Sequence, residues 1–271
     1  MRPSFTHVKI WVAFTILCLH NGHAFLSLCR LRFTHNRPIK SILWVKNTNK
    51  NRSNKRQGRN DILHVEKGLV ERGFHPIIGS DESGRGSIAG PVVAASCCIL
   101  TDIDSYQPIQ GVADSKCLSV EERERIYCEI IDHPEIYAWG IAERSNNDID
   151  ESNILISTMS CFQESIEKVA SGLSHEANAY GIVDGKKAPK LSIKVPCRPW
   201  VKADAEVYSV SLASILAKVS LDRLTEEWHN EFPEYGFNVH KGYATRDHIE
   251  AIHRYGPCRL HRLSFKSLKG R

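Results

Sequence analysis

Two apolar runs joined by a short glycine-rich segment, residues 77–95, place the tightest constraint on how this chain folds. The first run ends in Asp81 and Glu82, a Gly-Arg-Gly turn follows, and a Gly-Pro step leads into the second run. This order predicts a strand, a loop and a second strand, with both acids at the end of the first strand.

The two carboxylates beside this turn have two interpretations. Clustered acids at a strand end suit a hard cation such as Mg²⁺ and metal-assisted phosphate chemistry, while the glycines admit a ligand to the backbone and Arg85 adds a cation. The alternative is a solvated acidic turn that closes a hairpin. Because neighbouring side chains of a strand point to opposite faces, either the strand bends at Glu82 or one acid supports the other.

Charge is divided very unevenly along the 271 residues. Residues 1–60 hold twelve of the 36 Lys and Arg and none of the 31 Asp and Glu, so residues 61–271 carry a net charge of −7. With 42% hydrophobic residues the chain can bury a full core, which indicates one sizeable domain plus extensions. A mildly acidic domain binds nucleic acid only through a local basic stripe or bound metal ions.

The nine cysteines indicate neither a disulfide framework nor a zinc site. No pair has C-x-x-C spacing, and Cys97 and Cys98 are adjacent within an apolar run. We therefore expect reduced, mostly buried thiols in a reducing compartment.

Residues 1–60 have the composition of a targeting extension. An apolar segment, Ile10 to Leu19, follows two basic residues and precedes Gly22-His23-Ala24, which predicts a signal peptide over about residues 1–24. The acid-free segment 25–60 resembles a plastid-type or mitochondrial transit peptide, so we expect an extension that is disordered or removed. Plastid delivery is the preferred interpretation, with no stable membrane association after processing. The alternatives are a mitochondrial or secretory destination and, for the basic tract 46–59, a nucleic-acid-binding arm.

The pattern of residues 61–271 predicts an alternation of strands and helices. A capping box of Ser119 and Glu122 marks one helix start. The predicted helices are 61–74, 119–131, 149–173, 207–228 and 246–255, and the predicted strands are 76–81, 91–100, 137–143, 180–184 and a short strand within 189–199.

Two further acids stand at the ends of predicted elements. Asp184 ends the short strand from Tyr180, and ligands of open α/β sheets gather at such strand ends. Asp204 directly precedes the helix-forming run from Val207, so it is either a third site acid or a helix N-cap. The basic and aromatic segment 237–265 suits phosphate and sugar contacts, or is a solvated basic tail.

Seven motifs resemble those of ribonuclease HII, the type 2 ribonuclease H, in its bacterial or organellar form. The resemblance spans residues 76–267, and its first motif has Ser83 where the family usually has Ala. In chain order the motifs are Asp81-Glu82-Ser83-Gly84-Arg85-Gly86, Asp114-Ser115-Lys116-Cys117-Leu118-Ser119, Val183-Asp184-Gly185, Lys202-Ala203-Asp204, Ala213 to Val219, His240-Lys241-Gly242-Tyr243 and His261-Arg262-Leu263-Ser264-Phe265.

The resemblance implies an α/β fold of the ribonuclease H type, with a central mixed β-sheet flanked by helices and a helical C-terminal part. It implies four carboxylates that are both catalytic residues and ligands of Mg²⁺ or Mn²⁺, in a mechanism with two metal ions. Those carboxylates are Asp81, Glu82, Asp184 and Asp204. The physical reasoning agrees, because such a cluster repels itself unless divalent cations neutralise it.

The resemblance also implies a substrate and residues that contact it. The substrates are RNA–DNA hybrids, cut in the RNA strand, and duplex DNA with one embedded ribonucleotide, cut on its 5′ side to leave 3′-hydroxyl and 5′-phosphate ends. The backbone of Gly84, Arg85 and Gly86 would read the 2′-hydroxyl and Tyr243 would stack on the neighbouring deoxyribose. We assign Lys116 and Arg262 to phosphate contact and expect a monomer.

Three departures from the family pattern affect the expected site. Lys186 replaces a usual Asn, Ala203 a usual Gly and Leu221 a usual Arg, and none of these removes a metal ligand. The competing hypotheses are a catalytically silent nucleic-acid-binding relative and a different metal-dependent phosphoryl-transfer enzyme.

Overall fold

The computed structural model describes residues 61–112, 118–174, 177–266 and 268. The targeting predictions made for residues 1–60 lie outside these residues, as does the phosphate contact predicted for Lys116. Among the described residues, no helix combines the length and the apolar character needed to cross a membrane.

Five strands and eight α-helices alternate through the described residues. The strands are β1 (Ile77–Ser83), β2 (Val92–Ile99), β3 (Tyr137–Arg144), β4 (Tyr180–Asp184) and β5 (Cys197–Trp200). The helices are α1 (His64–Val70), α2 (Val120–Asp132), α3 (Asn146–Glu151), α4 (Ile154–Ser171), α5 (Ala203–Glu206), α6 (Tyr208–Glu231), α7 (Phe237–His240) and α8 (Arg246–Tyr255).

The strands form one mixed sheet in the order β3-β2-β1-β4-β5. β1, β2 and β3 are joined antiparallel, whereas β4 runs parallel to β1 and β5 runs parallel to β4. The register pairs Ser80 of β1 with Val183 of β4. Because the carboxyl ends of parallel strands meet at one edge, Asp81 and Asp184 are brought to the same edge of the sheet.

Helices cover both faces of the sheet, which explains why every residue of β2 is buried. Alternate β2 residues belong to two cores: Ala95, Cys97 and Ile99 pack with α6, and Val92, Ala94 and Cys98 pack with α4. Glycines permit the closest approaches. A Cβ on Gly79 would lie 2.2 Å from the backbone of α6, and one on Gly140 would lie 2.7 Å from the backbone of α4. The predicted fold, helices around a mixed sheet followed by a helical C-terminal part, is confirmed.

The single long helix predicted over residues 149–173 is wrong. The chain forms α3 and α4 instead, and the break falls at Ser152-Asn153. The side chain of Asn153 accepts hydrogen bonds from the N–H groups of Leu155 and Ile156. This cap starts a new helix, because the Asn side chain satisfies N–H groups of the first turn that have no backbone acceptor.

The predicted capping box of α2 is confirmed. The Ser119 hydroxyl accepts from the Glu122 N–H at 3.2 Å, and the Glu122 carboxylate accepts from the Ser119 N–H at 2.8 Å. The helix therefore starts where the sequence indicates.

Candidate active site

Asp81 and Glu82 lie inside β1, which continues to Ser83. Asp81 is only 6% exposed and pairs across the sheet with Ala95, whose side chain belongs to the α6 core. Burial raises the pKa of Asp81 well above its ordinary value; the charges of Glu82 and Asp184 add to this rise, while a hydrogen bond with Ser214 opposes it. The carboxylate also accepts a 2.8 Å hydrogen bond from the Glu82 N–H.

Glu82 is partly buried and forms a 3.2 Å ion pair with Arg85. Burial raises the pKa of Glu82, the Arg85 guanidinium lowers it, and the charge of Asp184 raises it again. The charges of Asp81 and Glu82 thus both interact with that of Asp184, although Asp81 and Glu82 are neighbours on one strand and such neighbours point to opposite faces.

Asp184 ends β4, and its Oδ1 accepts a 2.7 Å hydrogen bond from the N–H of Ala203. This bond ties the end of β4 to the start of α5, where Asp204 follows directly. The left-handed backbone conformation at this step belongs to Lys202, with φ 61°, so the replacement of a usual Gly by Ala203 places no left-handed strain on that residue.

Asp204 is buried and lies within α5, while Val207 occupies the N-cap of α6. The interpretation of Asp204 as the N-cap of the long helix is therefore wrong. Its carbonyl oxygen accepts a 2.8 Å hydrogen bond from the Ser211 hydroxyl, which fixes α5 against the first turn of α6.

The sheet edge thus brings the charges of Asp81, Glu82 and Asp184 close enough to interact, and Asp204 directly follows Ala203, whose N–H is bonded to Asp184. Among the described residues, no three His, Cys, Asp or Glu side chains already stand so that they could hold a metal ion. The donor set nevertheless fits a divalent cation, because its ligands would be carboxylate oxygens. The negative charges of Asp81, Glu82 and Asp184 repel one another. A bound cation would relieve that repulsion.

The loop after β1 lies beside this edge. Gly84 has φ +85°, and a Cβ there would lie 2.8 Å from the Pro91 carbonyl oxygen. A Cβ on Gly86 would lie 3.3 Å from the ring of Tyr243, so this ring packs over a glycine that offers only backbone. Tyr243 is 45% exposed. The structure therefore brings the glycine loop and Tyr243 together, as the predicted substrate contacts require.

Arg262 does not lie where a phosphate contact requires it. Its side chain is fully buried, and burial lowers its pKa to about 10. Among the described residues, the guanidinium donates to five backbone carbonyls of the glycine loop, at Gly84 (2.7 Å), Arg85 (3.4 Å), Ser87 (2.6 Å), Gly90 (2.8 Å) and Pro91 (2.8 Å). The assignment of Arg262 to phosphate contact is wrong, because its five donors are all directed into the protein.

A cleft of about 420 Å³ opens beside Asp184. Leu155, Met159 and Phe162 of α4 form one wall. Arg85, Lys186 and Lys187 bring three cations to the same cleft. Lys186, which departs from the family pattern, thus adds positive charge next to a site carboxylate.

Three histidines, His240, His248 and His261, are buried behind Tyr243. His240 stacks on His248 at 4.0 Å between ring centroids, and His248 Nε2 lies 3.1 Å from His261 Nε2. His248 Nδ1 lies 2.8 Å from the Tyr243 carbonyl oxygen. Burial lowers the pKa of each of the three, that of His248 to about 4. The cluster is therefore neutral near pH 7 and supports the backbone of Tyr243.

We expect the protein to lose stability as the pH falls from about 6.5 towards 4. In that range the unfolded chain binds a proton at His248 and the folded chain does not, so unfolding takes up protons and becomes easier as the pH falls. The free energy of unfolding should decrease by about 3 kcal/mol at the acid end of the range. Thermal midpoints between pH 7.5 and 4.5 measure it. His248→Gln should flatten the dependence, whereas exposed His253→Gln should leave it unchanged. If the thermal midpoint fell equally steeply with pH in both variants, the pH dependence could not be assigned to His248.

The chain is similar to known proteins of one family. The family model for ribonuclease HII matches residues 78–268. The ribonuclease HII of Burkholderia pseudomallei strain 668 is 42% identical over 193 residues, which cover 71% of this chain and 84% of that protein. The ribonuclease HII of Caldicellulosiruptor bescii is 41% identical over 205 residues, covering 76% and 93%.

Solved structures show the same fold. The crystal structure of ribonuclease H2 from Pyrococcus horikoshii OT3 has a TM-score of 0.54 at 26% identity and covers 71% of this chain and 95% of its own. Bst ribonuclease HIII, solved in complex with Mn²⁺, has a TM-score of 0.56 at 21% identity, covering 72% and 68%. The chain belongs to the ribonuclease HII family and is a ribonuclease H-type hydrolase.

Proposed function

We propose that this protein is a metal-dependent endonuclease that cuts the RNA strand of RNA–DNA hybrids and incises duplex DNA 5′ to a single embedded ribonucleotide, leaving 3′-hydroxyl and 5′-phosphate ends. One observation carries the proposal: the mutually repelling carboxylates of Asp81, Glu82 and Asp184 lie at the sheet edge from which the glycine loop emerges, with Tyr243 packed over that loop. The acids suit phosphate chemistry, and the loop suits recognition of ribose.

The four acids Asp81, Glu82, Asp184 and Asp204 would hold Mg²⁺ or Mn²⁺. Such ions, when bound, make a water nucleophilic at neutral pH and stabilise the leaving 3′ oxygen. The chain's own contribution is to orient the carboxylates and to offset part of the cost of charging them. The Ser214 hydrogen bond stabilises the charge of Asp81, and the Ala203 N–H fixes one oxygen of Asp184 at 2.7 Å. Bst ribonuclease HIII, which shares the fold, was solved with Mn²⁺.

Ribose selection requires a contact to the 2′-hydroxyl, which DNA lacks. The backbone of Gly84, Arg85 and Gly86 supplies that contact, because neither glycine has a side chain to block the approach. The half-exposed Tyr243 ring is then placed to pack on the neighbouring sugar. The cations of Arg85, Lys186 and Lys187 along the adjacent cleft would receive phosphates of the bound strand.

The deciding assay offers the purified full chain three duplexes of one sequence: all DNA, DNA with one ribonucleotide, and an RNA–DNA hybrid. Each is incubated with Mg²⁺, with Mn²⁺ or with EDTA. Metal-dependent incision 5′ to the ribonucleotide and cutting of the hybrid, with the all-DNA duplex intact, support the proposal. Binding without cutting would favour the catalytically silent relative, and cutting of all three duplexes would favour a phosphodiesterase that does not read ribose.

Tyr243→Ala is expected to lower kcat/KM at a single embedded ribonucleotide by about tenfold and to affect the continuous hybrid less, because only the former junction places a deoxyribose beside the ring. Tyr243→Phe keeps the ring and is the matched control. Initial rates on the two substrates measure the ratio. An equal loss on both substrates would remove the discriminating role of this ring.

The destination of the protein rests on the prediction made from residues 1–60, with plastid delivery preferred over mitochondrial or secretory routes. Fusing these residues to a fluorescent protein and imaging the organelles tests that prediction.

A further inference from the structure

Arg262 lies at the centre of a set of hydrogen bonds, the frame, that holds the glycine loop of residues 84–91. Each of its five N–H donors points to a backbone carbonyl between Gly84 and Pro91, and its own N–H donates to the Ile88 carbonyl at 2.8 Å. Nearly 180 residues separate the partners in sequence. The loop is therefore not shaped by its local sequence alone.

Peptide geometry links these carbonyls to the outer surface of the loop. In a trans peptide the C=O of one residue and the N–H of the next point in opposite directions. Because the carbonyls of Gly84 and Arg85 face the guanidinium, the N–H groups of Arg85 and Gly86 face away from it. Among the described residues, no backbone carbonyl accepts a hydrogen bond from either of these N–H groups.

The same frame joins the loop to the segment that carries Tyr243. The Ile88 N–H donates to the Gly242 carbonyl at 2.9 Å, and the Gly90 N–H donates to the Leu260 carbonyl at 2.8 Å. A Cβ on Gly242 would lie 2.8 Å from the Ala89 carbonyl oxygen, so these backbones are in direct contact. The loop and Tyr243 consequently share one hydrogen-bonded support.

We propose that Arg262 is a positioning residue for ribose selection: by holding the carbonyls of the Gly84–Pro91 loop, it directs the N–H groups of Arg85 and Gly86 toward the 2′-hydroxyl and keeps them in register with Tyr243. The proposal rests on the proposed function and adds a buried residue that need not touch the substrate. Only Arg suits this position, because a planar guanidinium offers five donors in fixed directions, whereas a Lys ammonium offers three from one point.

The test compares Arg262→Lys with wild type in the full chain. Arg259→Lys is the matched control, since Arg259 lies three residues away and forms an exposed ion pair with Glu231. In Arg262→Lys we expect kcat at a single ribonucleotide to fall about tenfold or more with KM changed less than about threefold, because the duplex still binds through its phosphates while the ribose is misplaced. Arg259→Lys should keep both constants.

Amide hydrogen exchange provides a readout that does not depend on activity. The N–H groups of Ile88 and Gly90 are hydrogen-bonded in the frame, so their exchange should become about tenfold faster in Arg262→Lys, while that of Ile182 in β4 stays unchanged. Asp150→Asn tests the same frame without altering the buried cation. Asp150 accepts from the N–H groups of Leu263 and Ser264, and a smaller change in the same direction is expected.

A joint change in kcat and in loop exchange, absent from Arg259→Lys, supports the proposal. Faster exchange with unchanged kinetics would overturn it, since Arg262 would then be structural only, and so would wild-type values of both. Failure of the proposed function gives a different result, because wild type itself would then leave the single ribonucleotide uncut. In that case amide exchange at Ile88 and Gly90 would still report whether Arg262 holds the loop.

Discussion

Asp81→Asn is expected to lower kcat on RNA–DNA hybrids by about a thousandfold, or about 4 kcal/mol in the barrier, while the protein stays folded. Asn keeps the shape of the side chain but removes the charge that would bind a divalent cation. Burial disfavours the charged form of Asp81, as does the charge of Glu82. The neutral variant should therefore be as stable as wild type or more stable, by about 1 kcal/mol in metal-free buffer.

Thermal midpoints, measured once with EDTA and once with Mg²⁺, report the stability and the metal binding of each protein separately from its turnover. Mg²⁺ should raise the midpoint of wild type more than that of Asp81→Asn, since the variant has one fewer carboxylate for the ion. Asp61→Asn is the control, because Asp61 is exposed and paired with Lys67 outside the site. Near-normal turnover of Asp81→Asn, or equal Mg²⁺ shifts in both proteins, would count heavily against Asp81 as a metal-binding catalytic acid.

The strands and the acids at their ends could be predicted from the sequence because both depend on local pattern. Short segments with apolar residues, bounded by Gly, Pro and Asp, mark β1, β2 and β4, and the structure pairs β1 with β4 in parallel. Asp81 and Asp184 meet for that reason. The break between α3 and α4 was also readable in principle, since Ser152-Asn153 is a capping signal inside an otherwise apolar pattern.

Arg262 and the buried histidines could not be placed in the same way. A cation among aromatic residues has the same local pattern whether it faces solvent or the backbone of a distant loop. Only the return of the C-terminal segment to residues 84–91 buries the guanidinium and stacks His240 on His248. Ser214, which bonds to Asp81, was likewise visible only as one small polar residue in a helical motif.

Gly79→Ala is expected to destabilise the protein by about 3 kcal/mol and to reduce activity with it. The added Cβ would lie 2.2 Å from the Ser209 carbonyl carbon and the Val210 nitrogen, both of them backbone atoms that no rotamer change can move. β1 and α6 must therefore separate. The same displacement would withdraw Ser214 of α6 from Asp81 of β1, so damage to the packing and damage to the site have one cause.

Gly68→Ala is the matched control because it makes the same chemical change within α1, where nothing lies within 4 Å of the new Cβ. There Ala should stabilise the helix by about 0.5 to 1 kcal/mol, since Gly loses more backbone entropy on folding. Urea midpoints of the two variants then move in opposite directions from wild type. A midpoint for Gly79→Ala equal to that of wild type would show that β1 and α6 are not in backbone contact, and the support inferred for Asp81 from α6 would fall with that contact.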